Sequence, residues 1–247
     1  MTNLHSIRDY SLEEEARIRF VRETLDKANA KGVVFANSGG KDCALVGILC
    51  KKACENTVSV VLPCGIRRNY NEDTEDALRL ARHFDIQTRI IDLKETFDTF
   101  TRALRPNLSE LAASNIAPRL RMQVLYAIAQ SEGRLVAGTG NRSEIFLGYF
   151  TKWGDGAYDL NPIADLTVSE VYEFLRYFDA PPSIICKSPS AGLYEGQTDE
   201  GDLGFSYADL DRFLLTGEAT DENIEKFVRH HNTTEHKRRL PLVFNRV

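Results

Sequence analysis

A chain of 247 residues, 43% of them apolar, with a formal net charge of −5, has enough material for one sizeable α/β domain, and its acidic balance argues against a broad nucleic-acid-binding surface. No apolar run approaches membrane-spanning length and the N-terminus lacks the basic-then-apolar pattern of a secretory leader, so no membrane association and a cytoplasmic location are expected. The five cysteines, Cys43, Cys50, Cys54, Cys64 and Cys186, form no Cys-x-x-Cys pair and are too sparse for a disulfide framework or a thiolate metal site.

The first element is read from Ser11-Leu12-Glu13-Glu14, a capping box that opens an amphipathic helix to about residue 27. Val33-Val34-Phe35-Ala36 then forms a strand without polar alternation, as a central parallel strand covered on both faces requires. Asn37-Ser38-Gly39-Gly40-Lys41-Asp42-Cys43 follows as a tight turn running into an apolar helix. Glycines without a Cβ let main-chain N–H groups approach an anion, and the helix start adds unpaired N–H groups and a positive dipole end. Phosphate is the natural guest, and Asp42 places a hard carboxylate oxygen beside it, as Mg²⁺ coordination needs. The G-x-x-x-x-G-K-[ST] spacing of the common phosphate loop is absent.

Further strands are expected at 57–63, 87–92 and 134–138, and helices at 71–84, 94–104 and 115–131, the last with Pro118 in its first turn, where a missing N–H costs nothing. Strands alternating with helices imply a doubly wound, mostly parallel sheet with helices on both faces. Ligands of such sheets bind beyond the carboxyl ends of the strands, so the turns at Ser38 and Thr139 share one rim. Thr167-Val168-Ser169-Glu170 is a second capping box, opening a helix to about residue 178. Residues 180–205, rich in proline, glycine and polar side chains, read as a long functional loop. Helices near 207–215 and 221–230 lead to the basic segment Glu235-His236-Lys237-Arg238-Arg239. The expected organisation is a single domain over 1–247, with a flexible flap at about 180–205 and a helical segment at about 207–247.

The turn resembles the Ser-Gly-Gly-x-Asp-Ser loop of the ATP pyrophosphatases, which cleave ATP between its α and β phosphates. Asn115-Ile116-Ala117-Pro118-Arg119-Leu120-Arg121-Met122, Gly138-Thr139-Gly140-Asn141-Arg142-Ser143-Glu144, Gly148 to Gly156, Lys187 to Glu200 and Glu235-His236-Lys237-Arg238 are together similar, in the same order, to signatures of the bacterial ammonia-dependent NAD synthetases. That resemblance implies adenylylation of the nicotinate carboxylate of deamido-NAD by ATP, followed by displacement of AMP by ammonia. It implies Asn37, Ser38, Gly39, Gly40, Lys41, Asp42, Cys43, Thr139 and Ser190 as ATP contacts, and Asp42 and Glu144 as Mg²⁺ ligands. Arg119, Lys152, Asp159, His236 and Lys237 would contact deamido-NAD, while Asp42, Lys152 and Asp199 would serve catalysis, Asp199 together with Glu200 at the ammonium ion. A homodimer is implied as well.

Three positions depart from the family pattern. Cys43 stands in place of a serine, Lys41 puts a cation in the loop, and Val168 replaces an ATP-contacting lysine; Lys41 is expected to supply the phosphate charge that Val168 does not. Alternative readings are another ATP pyrophosphatase-type amidotransferase subunit, or an ATP-binding sensor without turnover.

Overall fold

The computed structural model describes residues 8–64, 70–187 and 198–244. Its centre is a four-stranded, all-parallel sheet made of β1 (Gly32–Ala36), β2 (Thr57–Val61), β3 (Gln87–Ile90) and β4 (Arg134–Val136), in the order β3-β2-β1-β4. Register is continuous across it, with Val34 opposite both Val58 and Val136. The all-apolar run in β1 has the expected cause: Val33 and Phe35 enter one core while Val34 enters the other.

On one face lie α1 (Tyr10–Ala28), α2 (Lys41–Ala53), α3 (Glu72–His83) and α8 (Val168–Tyr177); on the other, α4 (Lys94–Leu104) and α6 (Ile116–Glu132), preceded by the short α5 (Glu110–Ser114). Gly47 allows the close contact between α2 and β1, since a Cβ there would stand 2.6 Å from the Phe35 ring. A third core, built on Leu147, Leu203, Leu210 and Phe227, joins α7 (Arg142–Leu147) to α10 (Asp199–Leu203), α11 (Tyr207–Thr216) and α12 (Asp221–Thr233). The basic segment folds as α13 (Glu235–Arg238).

Two local expectations are corrected. Helix α1 opens before the expected box, capped by Asp9, whose carboxylate accepts from Ser11 N at 3.0 Å and Leu12 N at 3.4 Å. Glu14, the carboxylate of the expected box, is drawn instead to Lys52 at 2.8 Å and accepts from Tyr177 Oη at 3.0 Å. The expected loop at 180–205 has helical ends: α9 (Pro182–Ile185) starts on a proline, and α10 is capped by Thr198 and closed by Gly204. The middle of that segment, including Ser190, lies outside the described residues. The Thr167 box forms with both of its hydrogen bonds.

Among the described residues no helix is long and apolar enough to cross a membrane.

Candidate active site

The sheet order places the site. The chain runs β1, β2, β3 outward on one side and returns to lay β4 against the other side of β1. The carboxyl ends of β1 and β4 therefore flank the point where the winding reverses, where open parallel sheets hold their ligands. Residues 37–40 leave β1 there and residues 139–141 leave β4. Both turns line one cavity of about 490 Å³.

At its first end the phosphate loop is held open by specific contacts. Gly39 has a φ of +73°, and a Cβ there would meet Asp73 O at 2.3 Å; glycine serves on both counts. Asn37, buried on the sheet edge, accepts from Gly39 N at 3.1 Å and donates to Ala77 O at 3.2 Å, tying the loop to α3. Helix α2 begins after Gly40 without a side-chain cap, so its leading N–H groups face the cavity side. Cys43 occupies the place of a hydroxyl, its Sγ 3.2 Å from Ser38 Oγ. Burial pushes that thiol above its usual range, so it is a packed group and not an acidified nucleophile.

Asp42 and Glu144 come from different strand ends and are joined by Asn141. The Asn141 side chain donates to Asp42 Oδ1 at 3.0 Å while its carbonyl oxygen accepts from Glu144 N at 3.0 Å, and Glu144 Oε2 accepts from Asn141 N at 3.1 Å. Asn141 is thus the cap of α7 and the brace of Asp42 at once. The spacing Asn141-x-x-Glu144 is itself a capping signal legible in sequence, yet Asn141 was not among the expected site residues. Lys41 Nζ lies 2.7 Å from Asp42 Oδ2 and 3.9 Å from Glu144 Oε1. Burial pushes the Lys41 ammonium down, but these two carboxylates outweigh it and hold the group protonated, above its ordinary range. Burial raises the Glu144 carboxyl, helped by the like charge of Asp42. Behind α7, Asp211 accepts from Ser143 Oγ at 2.6 Å and Ser169 N at 2.7 Å, locking α7, α8 and α11 together.

Asp199, at the start of α10, is buried on the same cavity, 3.4 Å from Tyr207 Oη. Thr139 lines the wall as well. Val168 packs into the third core. Lys187, at the end of the described part of the α9 segment, reaches Asp73 at 2.8 Å and Asp76 at 2.9 Å on α3 and lines the cavity beside the phosphate loop.

The far end of the cavity is assembled from α6, the segment at 148–155 and α13. Of the five side chains expected at the second substrate, Lys237 lines it, donating from Nζ to Gly148 O at 2.8 Å and Phe150 O at 2.9 Å. Arg119, Lys152 and His236 make an exposed chain beside it: Arg119 Nε donates to Lys152 O at 3.2 Å and Lys152 Nζ to His236 O at 2.5 Å. Asp159 sits apart, accepting from Val136 N at 2.8 Å and Tyr126 Oη at 3.3 Å, where it braces the end of β4. Arg121 and Asp155, which no local pattern singled out, also line this end. Arg121 Nε donates to Leu62 O at 3.0 Å, and burial lowers its guanidinium; Asp155 accepts from Thr151 N at 3.0 Å, and its enclosure by protein raises its carboxyl.

Chemically, one end suits a polyphosphate and a hard cation, and the other suits an anionic second substrate. The pattern of the NAD synthase family matches residues 13–241. The chain is 46% identical over 234 residues to the NH(3)-dependent NAD(+) synthetase of Carboxydothermus hydrogenoformans, covering 93% of this chain and 95% of that one. It is 41% identical to the enzyme of the same name from Finegoldia magna, with 92% of each chain covered. Among solved structures, NMN synthetase from Francisella tularensis superposes with a TM-score of 0.92 at 34% identity, over 96% of this chain and 99% of that one. The NH3-dependent NAD synthetase from Campylobacter jejuni gives 0.80 at 30% identity, over 96% and 100%. With the family pattern spanning residues 13–241 and nearly its whole length matched by these proteins, the chain belongs to the NAD synthase family.

Proposed function

We propose that this protein amidates deamido-NAD to NAD with ammonia, at the expense of ATP cleaved to AMP and pyrophosphate. The observation that carries the reading is the meeting, in one cavity, of the phosphate loop, the Asp42–Asn141–Glu144 unit and a cation-bearing far end. A carboxylate is inert to ammonia, so an oxygen of the nicotinate carboxylate attacks the α-phosphorus, the bond to the β-phosphate breaks and pyrophosphate leaves. Ammonia then attacks the acyl carbon, and the bond to AMP breaks.

The chain contributes mainly position and charge. Ser38, Gly39, Gly40 and the start of α2 hold the phosphates, with Thr139 on the facing wall. Lys237, Arg119, Lys152 and His236 receive the acceptor, and Asp199 takes the proton that ammonium must lose. Asp42 and Glu144 fit a divalent cation by their hard oxygen donors and by the ammonium already lying between them. Mg²⁺ held there would neutralise phosphate charge.

Helix α4 leaves none of its residues buried, and Phe100, Leu104 and Leu111 are exposed on this side of the fold. These favour a homodimer through the α4–α6 face, which sedimentation of the purified protein tests. The expected setting is the cytoplasm.

The direct assay supplies ATP, Mg²⁺, ammonia and deamido-NAD and follows products by chromatography. Equal amounts of NAD, AMP and pyrophosphate are expected, with glutamine unable to replace ammonia; formation of ADP contradicts the reading. The high TM-score against an NMN synthetase favours a second acceptor, nicotinate mononucleotide, which carries the same carboxylate. The ratio of kcat/KM for the two acceptors decides between them.

A further inference from the structure

Lys41 is the cation of the phosphate loop, and its side chain lies against the carboxylates of Asp42 and Glu144. It is 6% exposed, its ammonium bonded to Asp42 and facing Glu144, with the Tyr172 ring 5.9 Å away. Asp42 is thereby occupied at both oxygens, one by Asn141 and one by Lys41. We infer that Lys41 is a resident cation: its ammonium holds the place between Asp42 and Glu144 until a nucleotide arrives, so that a divalent cation enters with the triphosphate and not before it. The inference rests on the proposed reading of Asp42 and Glu144 as the metal-binding pair.

Three physical points support it. Two carboxylates from different strand ends, brought together in a protein-walled site with Asp199 near enough to act on Glu144, need a counter-charge whenever no metal is bound. An ammonium supplies one, and while it is bonded to the same oxygen it repels a divalent ion by charge and blocks it by contact. Second, among the described residues no group of three or more His, Cys, Asp or Glu side chains is arranged to hold a metal. Two protein carboxylates leave an octahedral ion such as Mg²⁺ short of ligands that phosphate oxygens can supply. Third, Lys41 is the first residue of α2 and lines the cavity of the phosphate loop. A bound triphosphate offers its ammonium new anionic partners within reach of the same side chain, which frees Asp42 and Glu144. No covalent bond changes; one cation moves from carboxylate to phosphate, and another takes its place.

The test uses Mn²⁺ alone, without nucleotide, with bound and free ion separated by electron paramagnetic resonance. Wild-type protein should bind Mn²⁺ weakly at this site. Lys41→Met, folded by circular dichroism, should bind it about tenfold more tightly or better, and Lys41→Met with Glu144→Gln should return to the wild-type level. A Lys41→Met protein that binds no more tightly than wild type overturns the inference; the metal-pair reading is then judged separately by whether Glu144→Gln shifts the Mg²⁺ concentration that turnover requires. Equal tightening in the single and double variants means that the ion sits elsewhere, and both ideas fall. Should Lys41→Met not fold, the wild-type protein still decides: nucleotide-free Mn²⁺ binding as tight as binding with a non-hydrolysable ATP analogue, and lost in Glu144→Gln, contradicts a resident ammonium, whereas weak binding that the analogue strengthens supports it.

Discussion

At the nucleotide end of the cavity the buried cation Lys41 is matched by the carboxylates of Asp42 and Glu144, whereas at the far end Lys237, Arg119 and Lys152 donate to main-chain carbonyls. A carboxylate cancels a positive charge; a carbonyl dipole only orients it. The charge of Lys41 is therefore fully met within the protein, by two carboxylates to one ammonium, while the far end keeps more of its positive potential for an anionic acceptor. Burial lowers the Lys237 ammonium from its usual range, as expected of a group held by dipoles in an enclosed place.

The sharpest way to break this comparison is at Asp42. Asp42→Asn keeps the shape and the Asn141 contact but removes the charge, and kcat should fall by roughly 10²–10³-fold, as for loss of a preorganised charge at a reacting phosphate. Steady-state kinetics should show this with the KM for deamido-NAD nearly unchanged; a large change in that KM would mean that the two ends are not separate. Lys237→Met addresses the other end. Removing a charged hydrogen-bonding group from a substrate contact should lower kcat/KM for deamido-NAD about 10- to 100-fold, with the KM for ATP unaffected. An equal effect on both substrates would place Lys237 in the scaffold instead.

Arg17, far from both ends, separates site effects from general stability. Its guanidinium, 8% exposed, bonds Asp165 at 2.7 Å and Pro162 O at 2.5 Å, pinning α1 to the segment before α8. Arg17→Met should cost about 1–3 kcal/mol in urea unfolding, because the Pro162 carbonyl loses its charged donor while the exposed Asp165 returns to water, and the KM values should stay as they are.

The smallest effect is a pH dependence. Burial pushes the Asp165 carboxyl up, but Arg17 and Arg8 hold it below its ordinary value. A depressed acid stabilises the fold above its unfolded pKa of about 3.9 and loses that contribution as pH falls through the folded value. Melting temperature should therefore drop below about pH 4 in wild type, and Arg17→Met should flatten that part of the curve. An unchanged slope would show that Asp165 does not report on the pair.

How far the sequence discloses the molecule follows the same division. The phosphate loop is legible because strand, turn and helix are contiguous, and the missing polar alternation of β1 has a direct cause in two covered faces. Glu144 is legible in position, as the third residue of a capping box, but its partnership with Asp42 needs β4 to lie beside β1. The far end has no local signature. Arg119, Lys152 and Lys237 are single charges on three separate segments, visible only through the family resemblance, and Arg121 and Asp155 lie within the resembling segments without an assigned role. Asp159, expected on the same ground, bonds Val136 N and Tyr126 at the end of β4. The box at Ser11 does not form because Asp9 takes the cap and Glu14, its would-be partner, bonds Lys52 and Tyr177, which are contacts that no four-residue pattern can weigh.

The central claim is that the loop holds ATP for attack on its α-phosphorus by a carboxylate. Deamido-NAD labelled with ¹⁸O in its nicotinate carboxylate tests this most directly, with products analysed by mass spectrometry after a single turnover with ATP, Mg²⁺ and ammonia. One labelled oxygen should appear in the phosphate of AMP and none in pyrophosphate. Label in orthophosphate, with ADP as the nucleotide product, would show attack on the γ-phosphorus and contradict the account.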